Sequence, residues 1–103
     1  MTSIAWHSAA QAQRRQIIAY LKEVTQPRYQ RRVMDAINTS IRRLRQFPRS
    51  GRPSVRIDGT RELIIPNYPY IVDYTYIEAE DKVVILRIRH GAQNLWEVPP
   101  ADA

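Results

Sequence analysis

Residues 68–90 read YPYIVDYTYIEAEDKVVILRIRH. Two runs rich in aromatic and β-branched residues, Tyr70 to Ile77 and Val83 to Arg89, flank an acidic stretch from Glu78 to Lys82. Such residues fit a pleated, half-buried surface. The pattern predicts an antiparallel hairpin turning around Glu80. If the numbers of opposed residues sum to 160, Asp73 faces Arg87 and Ile71 faces Arg89. The alternative sum of 159 puts Val72 opposite Arg87. The first register is preferred, because it gives an anion on an apolar strand a cationic neighbour, worth about 0.2–1 kcal/mol. Alternation along the last strand directs Val84, Leu86 and Ile88 toward a core, and Arg87 and Arg89 away from it.

Working upstream, Pro66-Asn67-Tyr68-Pro69 reads as a turn and Arg61 to Ile65 as a strand. Residues 48–60, PRSGRPSVRIDGT, form a loop with a short extended piece expected at Ser54 to Ile57. Before the loop, Val33, Ile37, Ile41 and Leu44 recur at i, i+4, i+8 and i+11, the stripe of an amphipathic helix. Pro27 suits its first turn, and Phe47-Pro48 ends it. An earlier helix, Ala9 to Val24, carries Ile17, Leu21 and Val24 on one face, with Ser8 as its expected N-cap. Ser3 to Trp6 reads as a first strand. The order is β-α-α-β-β-β, an α+β domain with a helix hairpin packed on one face of a small antiparallel sheet. The other face of the sheet is then free as a working surface.

The chain has 103 residues, enough for one domain over residues 1–103, with a core of about 3–96 and a tail expected to fray at 97–103. There is no cysteine, which excludes disulfides, thiolate zinc sites and a cysteine nucleophile. With His7 and His90 as the two histidines, no metal site is expected. No cofactor is expected either. No apolar run approaches the ~20 residues needed to cross a bilayer, and residues 1–6 do not make a secretory signal, so a cytoplasmic protein with no membrane partner is expected.

Charge is distributed unevenly. Residues 1–61 carry thirteen basic and three acidic residues, a net of +10; residues 62–103 carry three basic and seven acidic, a net of −4. Fourteen of the sixteen basic residues are arginine. The guanidinium fork matches carboxylate and phosphate oxygens, so an anionic partner is one reading. An arginine-rich solvated surface is the other. The isoelectric point near 10.2 fits nucleic-acid binding without requiring it.

Four segments come in a characteristic order and spacing: residues 47–53 (FPRSGRP), 60–65 (TRELII), 68–74 (YPYIVDY) and 83–92 (VVILRIRHGA). Together with the preceding strand and helix hairpin they resemble the RelE/ParE superfamily of type II toxin–antitoxin toxins, over about residues 3–96. The resemblance implies a bacterial toxin held inactive by a cognate antitoxin protein. RelE-type members cut mRNA in the ribosomal A site, and ParE-type members poison DNA gyrase, on one shared fold.

Metal-free RNA cleavage needs a base for the 2′-hydroxyl proton, cations for the dianionic phosphorane and an acid for the leaving oxygen. In RelE-like nucleases these come from sheet cations and a residue near the C-terminus. The resemblance makes Arg61, Arg87, Arg89 and His90 the candidates for catalysis under the nuclease reading. The same four residues and Trp96 are the candidates for target binding under either reading. Each also has a structural role open to it. Arg61 can tie its strand to the loop of residues 51–59, Arg87 and Arg89 can lie on a solvated face, and His90 can pack near Gly91. Trp96 can cover a sheet edge. Tyr70, Tyr74 and Tyr76 share a face and are expected to pack in the core with wet hydroxyls.

Two departures from the family pattern weaken the nuclease reading: Gln93 where relatives often carry arginine, and Asp73 where they often carry an apolar residue. No tyrosine lies beyond Tyr76. Three functions stay open: a non-enzymatic gyrase poison, placed first; an mRNA interferase acting on ribosomes and mRNA; and a nucleic-acid-binding domain outside any toxin system. Arg14, Arg15, Arg28, Arg31, Arg32, Arg42, Arg43 and Arg45 fall on the helix hairpin, off its core stripes. They are the expected anchor for an acidic antitoxin segment that folds on binding.

Overall fold

The computed structural model describes residues 2–91. The chain runs β1 (Ser3–Trp6), α1 (Ser8–Val24), α2 (Pro27–Arg42), a 3-10 turn (Arg43–Arg45), β2 (Arg52–Pro53), β3 (Arg61–Ile64) and β4 (Tyr70–Ile77). A second 3-10 turn (Glu78–Glu80) leads into β5 (Lys82–His90). Trp96 and the tail expected to fray lie outside the described residues.

The five strands form one sheet in the order β1-β5-β4-β3-β2. The sheet is mixed rather than antiparallel, because β1 pairs parallel to β5, from Ser3 with Lys82 to Trp6 with Ile85. A first strand can join parallel here because the two helices and the meander intervene before β5 arrives. Past Trp6, His7 N–H donates to the Ile85 carbonyl at 2.8 Å, and the Gln13 side chain of α1 accepts from Ile88 N–H at 2.8 Å. A helix side chain thus takes over the edge of β5 where β1 stops.

Local chemistry explains the helix ends. His7, not Ser8, caps α1, its Nδ1 accepting from Ala9 N–H at 3.1 Å. At the other end the Leu21 carbonyl accepts from both the Thr25 backbone and the Thr25 hydroxyl. Gln26 is extended, as the residue before a proline must be, and Pro27 opens α2.

Val33, Ile37, Ile41 and Leu44 are fully or almost fully buried, and each such side chain contributes about 1.5–3 kcal/mol. They share one cluster with Leu21, Val72, Tyr74, Val83, Ile85 and Ile88, with Ile17 packed against it. Val24, the last residue of α1, lies outside the core and is exposed, whereas Leu21 one turn earlier is buried in it.

The β4–β5 hairpin has the 160 register at its outer part: Asp73 faces Arg87 and Ile71 faces Arg89. Nearer the turn it shifts, so that Tyr74 faces Ile85 and Thr75 faces Val84. Leu86 is therefore an extra residue, a β-bulge, and it reverses the alternation of β5. Val83, Ile85 and Ile88 face the helices; Val84 and Leu86, expected there, do not. Arg87 and Arg89 point away as expected. The short extended piece in the loop forms at Arg52–Pro53, where it pairs with Arg61 and Glu62, rather than at Ser54 to Ile57.

Candidate functional site

On the face opposite the helices, register brings Glu62 of β3 beside Asp73 of β4. Arg89 closes the group. Its Nε donates to Asp73 Oδ2 at 2.7 Å, and its Nη2 donates to Asp73 Oδ1 at 3.0 Å and to Glu62 Oε2 at 2.9 Å. Arg52 of β2 holds the other Glu62 oxygen at 2.7 Å. Arg87 Nε lies 3.3 Å from Asp73 Oδ2 as an ion pair but makes no hydrogen bond. Asp73 is thus beside Arg87 as expected, yet its hydrogen bonds go to the diagonal neighbour Arg89. An arginine two residues further along has the length to lay its fork on both oxygens, which geometry rewards.

The network is largely dry. Arg89 is 7% exposed and Asp73 5%. Burial pushes the Arg89 guanidinium down, but the hydrogen bonds and charges of Asp73 and Glu62 outweigh it and hold it above the ordinary arginine range. A pair this buried strongly resists loss of one member, because the survivor would be an uncompensated charge.

Arg61 lies on the helix side of the sheet and does structural work. Its Nη1 donates to the carbonyls of Arg49 and Gly51 at 3.1 and 2.8 Å. Tyr74, fully buried, grips the same loop: its hydroxyl donates to the Pro48 carbonyl and accepts from Gly51 N–H, both at 2.8 Å. Burial raises the Tyr74 hydroxyl above its ordinary pKa; the Gly51 N–H and the nearby Arg61 offset only part of this. Gly51 is required here, since a Cβ would sit 2.6 Å from Tyr74 Cε1.

His90 faces Tyr70 across the hairpin, edge to ring at 5.4 Å, on the face away from Arg89. The four candidate residues therefore do not converge. Arg87 and Arg89 share one face, while Arg61 and His90 share the other. Arg61 aligns with Tyr74 and His90 with Tyr70, four residues apart, or roughly 13 Å along the strand. Trp96 lies outside the described residues.

The helix arginines present the opposite picture. Arg15, Arg28, Arg31, Arg32, Arg42, Arg43 and Arg45 are exposed and Arg14 is half-buried. Among the described residues none of the eight pairs with a carboxylate; Arg42 donates to the Thr39 hydroxyl at 3.2 Å. Arg14 and Arg15 line a cleft of about 520 Å³ with Trp6, Gln11 and Asn38. Sequence reasoning misses Glu62 and Arg52 as network members, since their place depends on the β2–β3 and β3–β4 registers. It also misses the Tyr74 grip, for which the nearest signal is Gly51 beside Pro48.

The model of the ParE toxin of type II toxin–antitoxin systems matches residues 4–95. A curated protein of Sinorhizobium fredii, named "Putative toxin Y4kP", is 37% identical over 95 residues, covering 92% of this chain and 94% of that protein. A chain of the chromosomal ParDE TA system from P. aeruginosa shares the fold. Its TM-score is 0.75 at 24% identity, over 87% of this chain and 96% of that one. The likeness to an antitoxin-regulated toxin therefore spans the helix hairpin and the whole sheet, and this chain belongs to the ParE toxin family of type II toxin–antitoxin systems.

Proposed function

We propose that this toxin inhibits bacterial growth by ParE-like poisoning of DNA gyrase and is neutralised by its cognate antitoxin. The observation that favours gyrase over mRNA is the divergence of Arg61, Arg87, Arg89 and His90. Metal-free RNA cleavage requires a base, an acid and cations around one phosphate. Here two of the four residues lie on each face of the sheet. Arg89 is spent on Asp73 and Glu62, and Arg61 on the loop carbonyls. A toxin that works by binding needs no such convergence. The deciding experiment adds the purified chain to gyrase with supercoiled DNA and, separately, to programmed ribosomes. Accumulation of cleaved DNA–gyrase complexes with intact mRNA is the expected result. Cut A-site mRNA with gyrase unaffected would overturn it in favour of the interferase.

The antitoxin is read as binding through an acidic, partly helical segment laid across the helix hairpin. The supporting observation is the set of exposed arginines, clustered at the two ends of α2, that have no carboxylate partner among the described residues. Unneutralised guanidinium groups accelerate encounter with an acidic chain and fix its register. Charge reversal at Arg31/Arg32 or at Arg42/Arg43 is expected to weaken antitoxin binding at low salt. Unchanged affinity for both variants would remove this surface as the electrostatic anchor.

A further inference from the structure

The cleft of about 520 Å³ is lined from three elements: Trp6 at the end of β1, Gln11, Arg14 and Arg15 on α1, and Asn38 on α2. Its size falls within the roughly 300–1,000 Å³ usual for small-molecule sites. Gln11, Arg14 and Arg15 stand at i, i+3 and i+4, so one face of α1 presents all three. The lining is firmly seated. Trp6 pairs with Ile85 in the sheet, and the next residue, His7, donates its N–H to the Ile85 carbonyl at 2.8 Å. Ala10 is fully buried, and the Gln13 side chain ties α1 to Ile88 N–H at 2.8 Å. On α2, Ile37 and Ile41 beside Asn38 are buried in the core. Groups carried on seated elements lose little freedom when a ligand arrives.

The chemistry of this lining is one-sided. Guanidinium and indole N–H groups only donate, while the Gln11 and Asn38 amides can donate or accept. No acidic residue belongs to the lining among the described residues; Asp35, three residues before Asn38, is exposed outside it. Among the described residues none of the five side chains has a hydrogen bond or an ion pair. Arg14 is half-buried, so it has given up part of its hydration without gaining an acceptor. An anion in the cleft supplies the missing acceptors, and two neighbouring guanidinium forks match phosphate oxygens well. Trp6 adds a flat apolar surface of the kind on which a base stacks.

We infer that this cleft binds a nucleotide unit, with its phosphate on Arg14 and Arg15, its base against Trp6 and the base edge read by the Asn38 and Gln11 amides. A carboxylate would satisfy the arginines and leave the indole and the amides unused. The same phosphate–base unit occurs in a free nucleotide and in a nucleic-acid single strand. The site stands whichever target the toxin has.

The test titrates ATP, tripolyphosphate and a short oligothymidylate into the purified chain. Trp96→Phe leaves Trp6 the only tryptophan, so emission excited at the indole edge reports on the cleft. Heat of binding to the unsubstituted chain gives the same affinities without that substitution. Expected are quenching of Trp6 by ATP or by the oligothymidylate, and binding at least about tenfold weaker for Arg14→Gln/Arg15→Gln. Arg31→Gln/Arg32→Gln removes the same charge outside the cleft and should leave the affinity within about twofold of wild type. Each variant is checked for an unchanged urea midpoint. The tighter of the two base-bearing ligands identifies the source, free nucleotide or strand. Binding of neither overturns the proposal. So does equal weakening by the two arginine pairs, which would show attraction to overall charge. Tripolyphosphate bound as tightly as ATP, with no quenching by either, would overturn the nucleotide assignment in favour of a plain anion site.

Discussion

The helix hairpin and the open sheet face use the same side chain in opposite ways. On the hairpin, eight arginines have no carboxylate partner among the described residues and seven of them are exposed. On the sheet, Arg89 is buried and held by two carboxylates, and Arg52 and Arg87 complete the network. Composition alone cannot separate these uses. The difference lies in where the acids fall: Asp73 and Glu62 are brought beside Arg89 by strand register, whereas Glu23 and Asp35 on the helices pair with none of the helix arginines. Arginine on this sheet holds the fold together, and arginine on the hairpin is available to a partner.

The strongest test removes one carboxylate from the sheet. Asp73→Ala leaves the buried Arg89 beside the half-buried Arg87 with Glu62 alone to compensate. The expected loss is about 3–5 kcal/mol, read from the urea midpoint. Removing charge from both sides, as in Asp73→Leu/Arg89→Met, is expected to recover most of that loss, because no uncompensated ion remains. A loss within about 0.5 kcal/mol for Asp73→Ala would mean that the sheet arginines are as dispensable to folding as surface ones.

A second test asks whether Arg61 belongs with the structural arginines. It shares the loop of residues 48–51 with Tyr74, so loosening the loop from the tyrosine side places more demand on it. Tyr74→Phe strands the Gly51 N–H and the Pro48 carbonyl and is expected to cost about 1–3 kcal/mol. Arg61→Ala in the Tyr74→Phe background should then cost more than in the wild type. Additive losses would show that the two side chains hold the loop independently.

Much of this fold is legible in the sequence. The i, i+4, i+8, i+11 stripe of α2 locates its buried face through Leu44, and the Asp73–Arg87 register follows from placing one anion beside one cation. The faces of β5 are not legible beyond the bulge. Leu86 is an apolar residue in an apolar run, and nothing in its type marks it as the extra residue. Its insertion is fixed by the pairing of Tyr74 with Ile85, a tertiary fact. The parallel joining of β1 is hidden for a similar reason, since a four-residue strand carries no sign of direction. At the site, Arg61 is correctly open to a loop-tying role. The capture of Arg89 by Asp73 and Glu62 needs both neighbouring registers at once, and sequence supplies one of them.

A third test concerns the hairpin arginines themselves. Arg31→Gln/Arg32→Gln is expected to leave stability within about 0.5 kcal/mol of wild type, since neither residue pairs with a carboxylate among the described residues. Any change should be a small gain at low salt, as like charges are removed, and should vanish at high salt. A salt-independent loss would place these two arginines with those of the sheet and break the comparison.

The smallest effect expected is a pH dependence at the hairpin turn, where an acid is held by hydroxyls instead of arginines. Asp81, in a left-handed conformation after the turn, accepts from the Thr2 hydroxyl at 2.6 Å and from the Tyr76 hydroxyl at 2.8 Å, both on Oδ1. The Thr2 bond first and the Tyr76 bond second hold its pKa below the ordinary carboxylate value. The unfolded chain therefore binds this proton more readily than the folded one. Stability from Asp81 is complete above the ordinary carboxylate range, about pH 4, and is lost as pH falls through the lower folded value. Thr2→Val with Tyr76→Phe removes both donors, so the variant should lose less stability than wild type between about pH 5 and 3. Identical acid limbs in the two proteins would show that these hydroxyls do not bias the Asp81 proton.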